Sequence, residues 1–161
     1  MNIVYLQLGS NLGNRENYLT KASVELKSEI GQIIKSSKIY ESSAWGVSNQ
    51  KKYLNQIIKI KTEYNASLIL EKALKIEDKL GRVRIKKWGE RVIDIDLLLF
   101  NFDIIEETNL SIPHKYMHKR KFVLVPLNEL AGNYLHPIYN ITINELLNQC
   151  KDSDHVKEYV I

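Results

Sequence analysis

An α+β domain with a ferredoxin-like βαββαβ core is predicted by three observations: the order of apolar runs in the first hundred residues, the switch between alternating and helical spacing, and turn-forming residues at each junction. Such a core lays a mainly antiparallel sheet against helices on one face, and the remaining residues add a C-terminal strand pair and helices. Ile3 to Leu8 is the first strand, ending in the turn-rich Gly9-Ser10-Asn11-Leu12-Gly13-Asn14. Leu19, Ala22, Leu26 and Ile30 then recur at helical spacing, with Asn14 as N-cap and Gly31 just past the C-cap. Ile33 to Tyr40 and Tyr53 to Tyr64 read as strands, separated by a loop holding Trp45, Gly46 and Asn49. A second helix starts after Asn65, with Leu70, Ala73, Leu74, Glu77 and Leu80 on one face; Glu77 is the charged member of that stripe. A strand through Asp94 to Phe100 completes the core. Beyond it come a strand pair near Ile104 to Ile112, the segment Pro113-His114, a helix from about Phe122 to Leu130 and a last helix from Thr142.

The 161 residues suit one domain spanning 1–161, with apolar (44%) and charged (26%) fractions ordinary for a soluble globular protein. Linkers, repeats and low-complexity tracts are absent from the sequence. Met1 to Leu8 has no basic n-region, and no stretch is apolar for long enough to span a bilayer. The sole cysteine, Cys150, has no internal partner for a disulfide, which agrees with a reducing compartment. A cytoplasmic location is expected.

Charge is concentrated in one stretch. Arg82, Arg84, Lys86, Lys87 and Arg91 stand against Glu90, and their net of +4 equals the formal charge of the whole chain. A pI near 9.0 raises nucleic acid or an anionic membrane as partners, but an excess confined to one short loop fits a small polyanion better. Arginine's planar fork matches phosphate oxygens, and Gly81 and Gly89 give the loop freedom to move. Asp94 and Asp96 follow at once, alternating with Ile93, Ile95, Leu97 and Leu99, so the two acids share one face roughly 6.6 Å apart. Two charges at that spacing repel by about 2.5 kcal/mol at an effective dielectric of about 20. Mg²⁺ is the natural compensating ion, because it takes oxygen ligands and is held by one or two carboxylates plus substrate phosphates.

The ordered set of motifs resembles the 6-hydroxymethyl-7,8-dihydropterin pyrophosphokinase family of folate biosynthesis. The matching parts are Gly9-Ser10-Asn11-Leu12-Gly13, Tyr53-Leu54-Asn55, Glu77 to Arg84, Trp88-Gly89 to Arg91, Asp94 to Phe100, and Ile112-Pro113-His114 with Arg120 and Phe122. Single motifs of this kind are weak, whereas their order along nearly the whole chain is specific. The resemblance implies transfer of the β,γ-pyrophosphoryl group of ATP, the co-substrate, to the pterin's hydroxymethyl oxygen with release of AMP. It implies two Mg²⁺ ions on Asp94 and Asp96, and it makes Arg82 and Arg91 the loop arginines that stabilise charge on the transferring group. Arg84 and Trp88 then close the loop over nucleotide and pterin. The expected pterin pocket takes aromatic faces from Tyr53, Phe122 and Trp45, a donor and acceptor from Asn55, and Ser42, Ser43 and Ala44 from the preceding loop. Nucleotide contacts fall to His114, Lys115 and Arg120, with Leu97 and Ile112 on the adenine side. Glu77 either lies near the nucleotide, orients Arg82 or caps buried polar groups. A monomer is implied.

The chain departs from the family pattern in places. Ser43-Ala44 and Glu90 stand where many members carry proline, Asn109 where some carry a basic residue, and Lys115 where some carry tyrosine. Other readings fit less well. An RNA-recognition domain shares the topology, but the first and third strands lack its aromatic pair, and Asp94 and Asp96 would repel a phosphate backbone. A metal-dependent glycosyltransferase also uses an Asp-x-Asp pair, yet the chain is short for one. A purely regulatory ATP module does not call for Asp94, Asp96, Arg82 and Arg91 together.

Overall fold

A computed structural model describes residues 1–44, 48–84 and 89–161. The strand β1 (Asn2–Ser10) is the middle of the sheet and is buried from Val4 onward because it pairs on both edges. On one side lies β4 (Tyr53–Thr62), in register from Asn2 opposite Thr62 to Ser10 opposite Leu54. On the other lies β5 (Asp94–Phe100), from Val4 opposite Phe100 to Gly9 opposite Asp94. The far edge of β4 carries β2 (Gln32–Ser36) and β3 (Tyr40–Ser42), and every pairing is antiparallel. The single strand expected over Ile33 to Tyr40 is therefore two. Ser37 divides them: its N–H donates to the Ile57 carbonyl and its Oγ accepts from the Ile57 N–H, both at 2.9 Å, so a side chain takes over the ladder.

Two helices cover one face of the sheet. Helix α1 (Arg15–Glu29) is capped by Asn14, whose side chain accepts from the Asn17 N–H, and buries Leu19, Ala22 and Leu26 as the spacing predicts. Gly31 follows it for a different reason than a left-handed turn. A Cβ there would lie 2.2 Å from the Lys61 carbonyl oxygen, so only glycine permits the chain to pass so close to β4. Helix α2 (Ala66–Lys79), capped by Asn65, buries Ala66, Ile69, Ala73, Ile76 and Glu77. Leu74 is 44% exposed, so the apolar stripe is rotated from the predicted one; the Ala66-Ile69-Ala73-Ile76 series has the same period and lies against the main core.

The β5 strand breaks its own alternation. Tyr5 pairs with Leu99 while Leu6 pairs with Leu97, leaving Leu98 as an additional residue in a bulge. Ile93, Ile95 and Leu97 join the core under α1 and α2, as expected, but Leu99 moves with Leu98 to a second core. That second core is built with Tyr5 and Ile57 against α3 (Lys121–Ala131) and α4 (Ile143–Gln149). Helices therefore cover both faces: α1 and α2 the one expected for the βαββαβ core, α3 and α4 the other. The strand pair is β6 (Ile105–Glu107) and β7 (Leu110–Ile112), followed by a cis Ile112-Pro113 bond and a short 3-10 turn at Met117–Lys119. Thr142 and Glu145 form a reciprocal capping box at the start of α4. An unforeseen strand, β8 (Lys157–Glu158), adds to the β3 edge. No described helix is long and apolar enough to cross a membrane.

Candidate active site

The ends of β1, β3, β4 and β5 open on one cleft of about 620 Å³, counted out to open solvent. Asp94 and Asp96 enter it from β5 and Arg91 from the segment before that strand. Asp94 is held between two arginines: Arg82 Nη1 donates to its Oδ1 and Arg91 Nη1 to its Oδ2, each at 2.8 Å. Arg82 Nη1 also donates to Glu77 Oε2 at 2.7 Å. Glu77, 1% exposed, accepts the Ile95 N–H at 2.7 Å and an ion pair from Arg84, which also bonds Asp78. The odd carboxylate of α2 thus orients Arg82 and caps the start of β5. Burial and the Asp94 charge push its pKa up, while the Ile95 N–H and the two guanidiniums draw it back.

Asp96 sits opposite Gln7 of β1. Burial first, and the neighbouring Asp94 charge second, push its carboxyl up to about 8. A carboxyl raised in this way favours a proton or another cation.

The turn after β1 fixes the loops around these acids. Asn11 donates its N–H to the Arg91 carbonyl at 3.0 Å and accepts the Arg91 N–H on Oδ1 at 2.8 Å. Its Nδ2 donates to the Lys51 carbonyl at 3.2 Å. One asparagine therefore ties the Arg91 segment to the loop entering β4.

The other half of the cleft is lined by neutral residues apart from Arg120. Tyr53, Asn55, Ser42, Ser43, Ala44 and Phe122 all line it. Asn55 Nδ2 donates to Ser42 Oγ at 2.8 Å and to the Tyr40 carbonyl at 3.2 Å, and Gln7 Nε2 donates to Asn55 Oδ1 at 3.4 Å. Burial raises the Tyr53 hydroxyl pKa. The Arg120 guanidinium lines the same cleft, 5.8 Å from the Phe122 ring centre and 5.4 Å from that of Tyr116.

Other expected residues lie outside this cleft. His114 donates its backbone N–H to the Leu98 carbonyl and accepts the Tyr116 N–H on Nδ1; burial and Arg120 lower its pKa to about 4, so its ring is neutral at pH 7. Lys115 is exposed, its Nζ 5.6 Å from the Tyr116 ring centre. Leu97 and Ile112 are buried in the main core. Trp45, Trp88, Lys86 and Lys87 fall outside the described residues. Sequence reasoning missed Gln7 and Gln50 and placed Gly9 only in a motif, with no site role; all three line the cleft. The available signal for Gln7 was a large polar side chain inside a strand otherwise apolar from Ile3 to Leu8. Among the described residues no group of three or more His, Cys, Asp or Glu is arranged to hold a metal.

Residues 5–132 match the profile of the 7,8-dihydro-6-hydroxymethylpterin-pyrophosphokinase family. The chain belongs to that family. It is 43% identical over 145 residues to the 2-amino-4-hydroxy-6-hydroxymethyldihydropteridine pyrophosphokinase of Aquifex aeolicus, covering 90% of each chain. The enzyme of the same name from Haemophilus influenzae is 38% identical over 155 residues, covering 95% of this chain and 96% of that one. The fold is shared with a crystal structure of Plasmodium falciparum HPPK-DHPS with pterin and p-hydroxybenzoate, at a TM-score of 0.73 and 21% identity. That match covers 92% of this chain but only 43% of the solved one, so the chain spans under half of its length.

Proposed function

We propose that this chain catalyses the family reaction: it transfers the pyrophosphoryl group of ATP to the hydroxymethyl oxygen of 6-hydroxymethyl-7,8-dihydropterin, releasing AMP, in tetrahydrofolate biosynthesis. The observation that carries the reading is one cleft with two chemistries, the Arg82–Asp94–Arg91 cluster beside Asp96 and the neutral Asn55, Tyr53 and Phe122 wall. An in-line displacement at phosphorus asks mainly for positioning and charge stabilisation. The hydroxymethyl oxygen attacks the β-phosphorus, the bond from that phosphorus to the oxygen bridging to the α-phosphorus breaks, AMP leaves with the bridging oxygen, and the hydroxyl proton passes to water.

Tyr53 and Phe122 supply the faces between which a flat heterobicycle is held, and Asn55 with the Ser42–Ala44 segment meets its polar edge. Asp94 and Asp96 fit a divalent cation, since both are oxygen donors on one strand face and Asp96 is driven by burial and by Asp94 to take up positive charge. Two Mg²⁺ ions held there would supply Lewis-acid polarisation of phosphoryl oxygens and a lowered pKa for the attacking hydroxyl. Arg82 and Arg91 act by exchanging partners, from the Asp94 oxygens to phosphoryl oxygens of ATP, and Glu77 keeps Arg82 aimed while it does so. Arg84, His114, Lys115 and Arg120 contact the nucleotide in this reading, as the family resemblance implies. The unit is a single-domain, cytoplasmic monomer in this reading; a six-stranded sheet with cores on both faces supports the single domain, and a lone cysteine the cytoplasm.

Phosphorus NMR tests the reaction. The protein with Mg-ATP and 6-hydroxymethyl-7,8-dihydropterin is expected to yield AMP and a pterin diphosphate, neither forming without pterin. ADP as the product would instead establish γ-phosphoryl transfer and overturn the reading.

A further inference from the structure

Gln7 has no part in the reading above, yet it is 4% exposed on the floor of the cleft with its Oε1 lacking a hydrogen-bond partner among the described residues. Its orientation is determined by a chain of constraints. The Tyr40 carbonyl only accepts, so the group of Asn55 facing it at 3.2 Å is the amide nitrogen, and the same nitrogen donates to Ser42 Oγ. Asn55 therefore turns its Oδ1 towards Gln7, and Gln7 must answer with Nε2, at 3.4 Å. One backbone carbonyl thus sets both amides and leaves Gln7 Oε1 as the outward acceptor. A buried carbonyl oxygen without a donor is costly, and a native fold keeps one where a ligand or water completes it.

Two features identify that ligand group. Gln7 pairs with Asp96 across β1 and β5 and with Ile57 across β1 and β4, so it stands between the Asp pair and Asn55. Gln7 Oε1 can only accept, and its neighbours on the β4 side of the cleft, Tyr53 and Asn55, are uncharged. The complement is a neutral N–H donor. We propose that Gln7 is a specificity-determining residue for the pterin, its Oε1 accepting a hydrogen bond from an N–H on the polar edge of the ring while its Nε2 holds Asn55 Oδ1. This deepens the proposed function and rests on it.

The test is equilibrium titration of 6-hydroxymethyl-7,8-dihydropterin into protein saturated with Mg²⁺ and α,β-methylene-ATP, comparing wild type with Gln7→Met, which keeps the length of the side chain and removes the acceptor. The pterin Kd is expected to rise about tenfold, with the Kd of the ATP analogue within twofold. Gln7→Ala is the second variant should Gln7→Met not fold, and thermal melting identifies a folded sample. An unchanged pterin Kd, or equal losses for pterin and nucleotide, overturns the assignment. Failure of wild type to bind pterin at all overturns the proposed function itself, and is distinguished by arising without any substitution.

Discussion

On the Asn55 side of the cleft, the polar groups are amides and hydroxyls that satisfy one another and backbone carbonyls; on the Asp94 side, they are full charges that neutralise one another. Neutral bonds of this kind contribute about 1 kcal/mol each and are directional, so they fix shape. Buried ion pairs contribute little net stability, but removing one partner leaves a costly charge behind. In the proposed reaction the neutral half selects a flat polar edge, and the charged half exchanges partners with the polyphosphate. The proposed reaction thus assigns recognition and catalysis to different types of polar group.

The largest effect should come from the charged half. Asp96→Ala is expected to lower kcat by about 10³-fold or more at saturating substrates, because the proposed donor set for the cation is halved. Steady-state kinetics across a magnesium titration checks this, and full activity in the variant would remove Asp96 from the site. Next comes the neutral half: Asn55→Ala should raise KM for the pterin by about 10- to 100-fold while kcat changes by less than about threefold. A loss confined to kcat would erase the distinction between the halves.

Stability against pH gives the smallest effect and the sharpest view of Asp96. Its carboxyl is held at about 8 in the folded protein against 3.8 for an ordinary aspartate, so the folded state binds that proton more tightly. Below pH 4 both states are protonated and no penalty arises; the penalty grows as pH rises and is complete above about 8. Asp96→Asn, measured with a chelator present, should match the wild-type melting temperature near pH 4 and exceed it by a few degrees at pH 8.5. A gain that is the same at both pH values would show that the carboxyl is not raised by its surroundings.

Much of this was legible in the chain. The caps at Asn14 and Asn65, the Thr142 helix start and the Asp94-Ile95-Asp96 alternation are local features, and local rules placed them correctly. What escaped depends on partners distant in sequence. The Leu98 bulge arises from pairing with Tyr5 and Leu6, and simple alternation therefore puts Leu99 on the wrong face. Gly31 is required by the approach of Lys61, thirty residues on, rather than by a turn. The rotated face of α2 was ambiguous because two apolar series fit one period. Within the site, residue types announced the phosphate chemistry, but the sharing of Arg82 between Glu77 and Asp94 needed coordinates, as did the amide chain from Tyr40 to Gln7.

Arg82 discriminates most directly between a clamp and a catalyst, since it is both an ion-pair partner of two carboxylates and the proposed stabiliser of the transferring group. The decisive measurement is the single-turnover rate of pyrophosphoryl transfer in Arg82→Ala with both substrates saturating. Partner exchange predicts a fall of about 10²- to 10³-fold, some 3 to 4 kcal/mol in the barrier, with pterin and nucleotide affinities within a few-fold of wild type. A wild-type rate accompanied by a lowered melting temperature would contradict the account and leave Arg82 as structure alone.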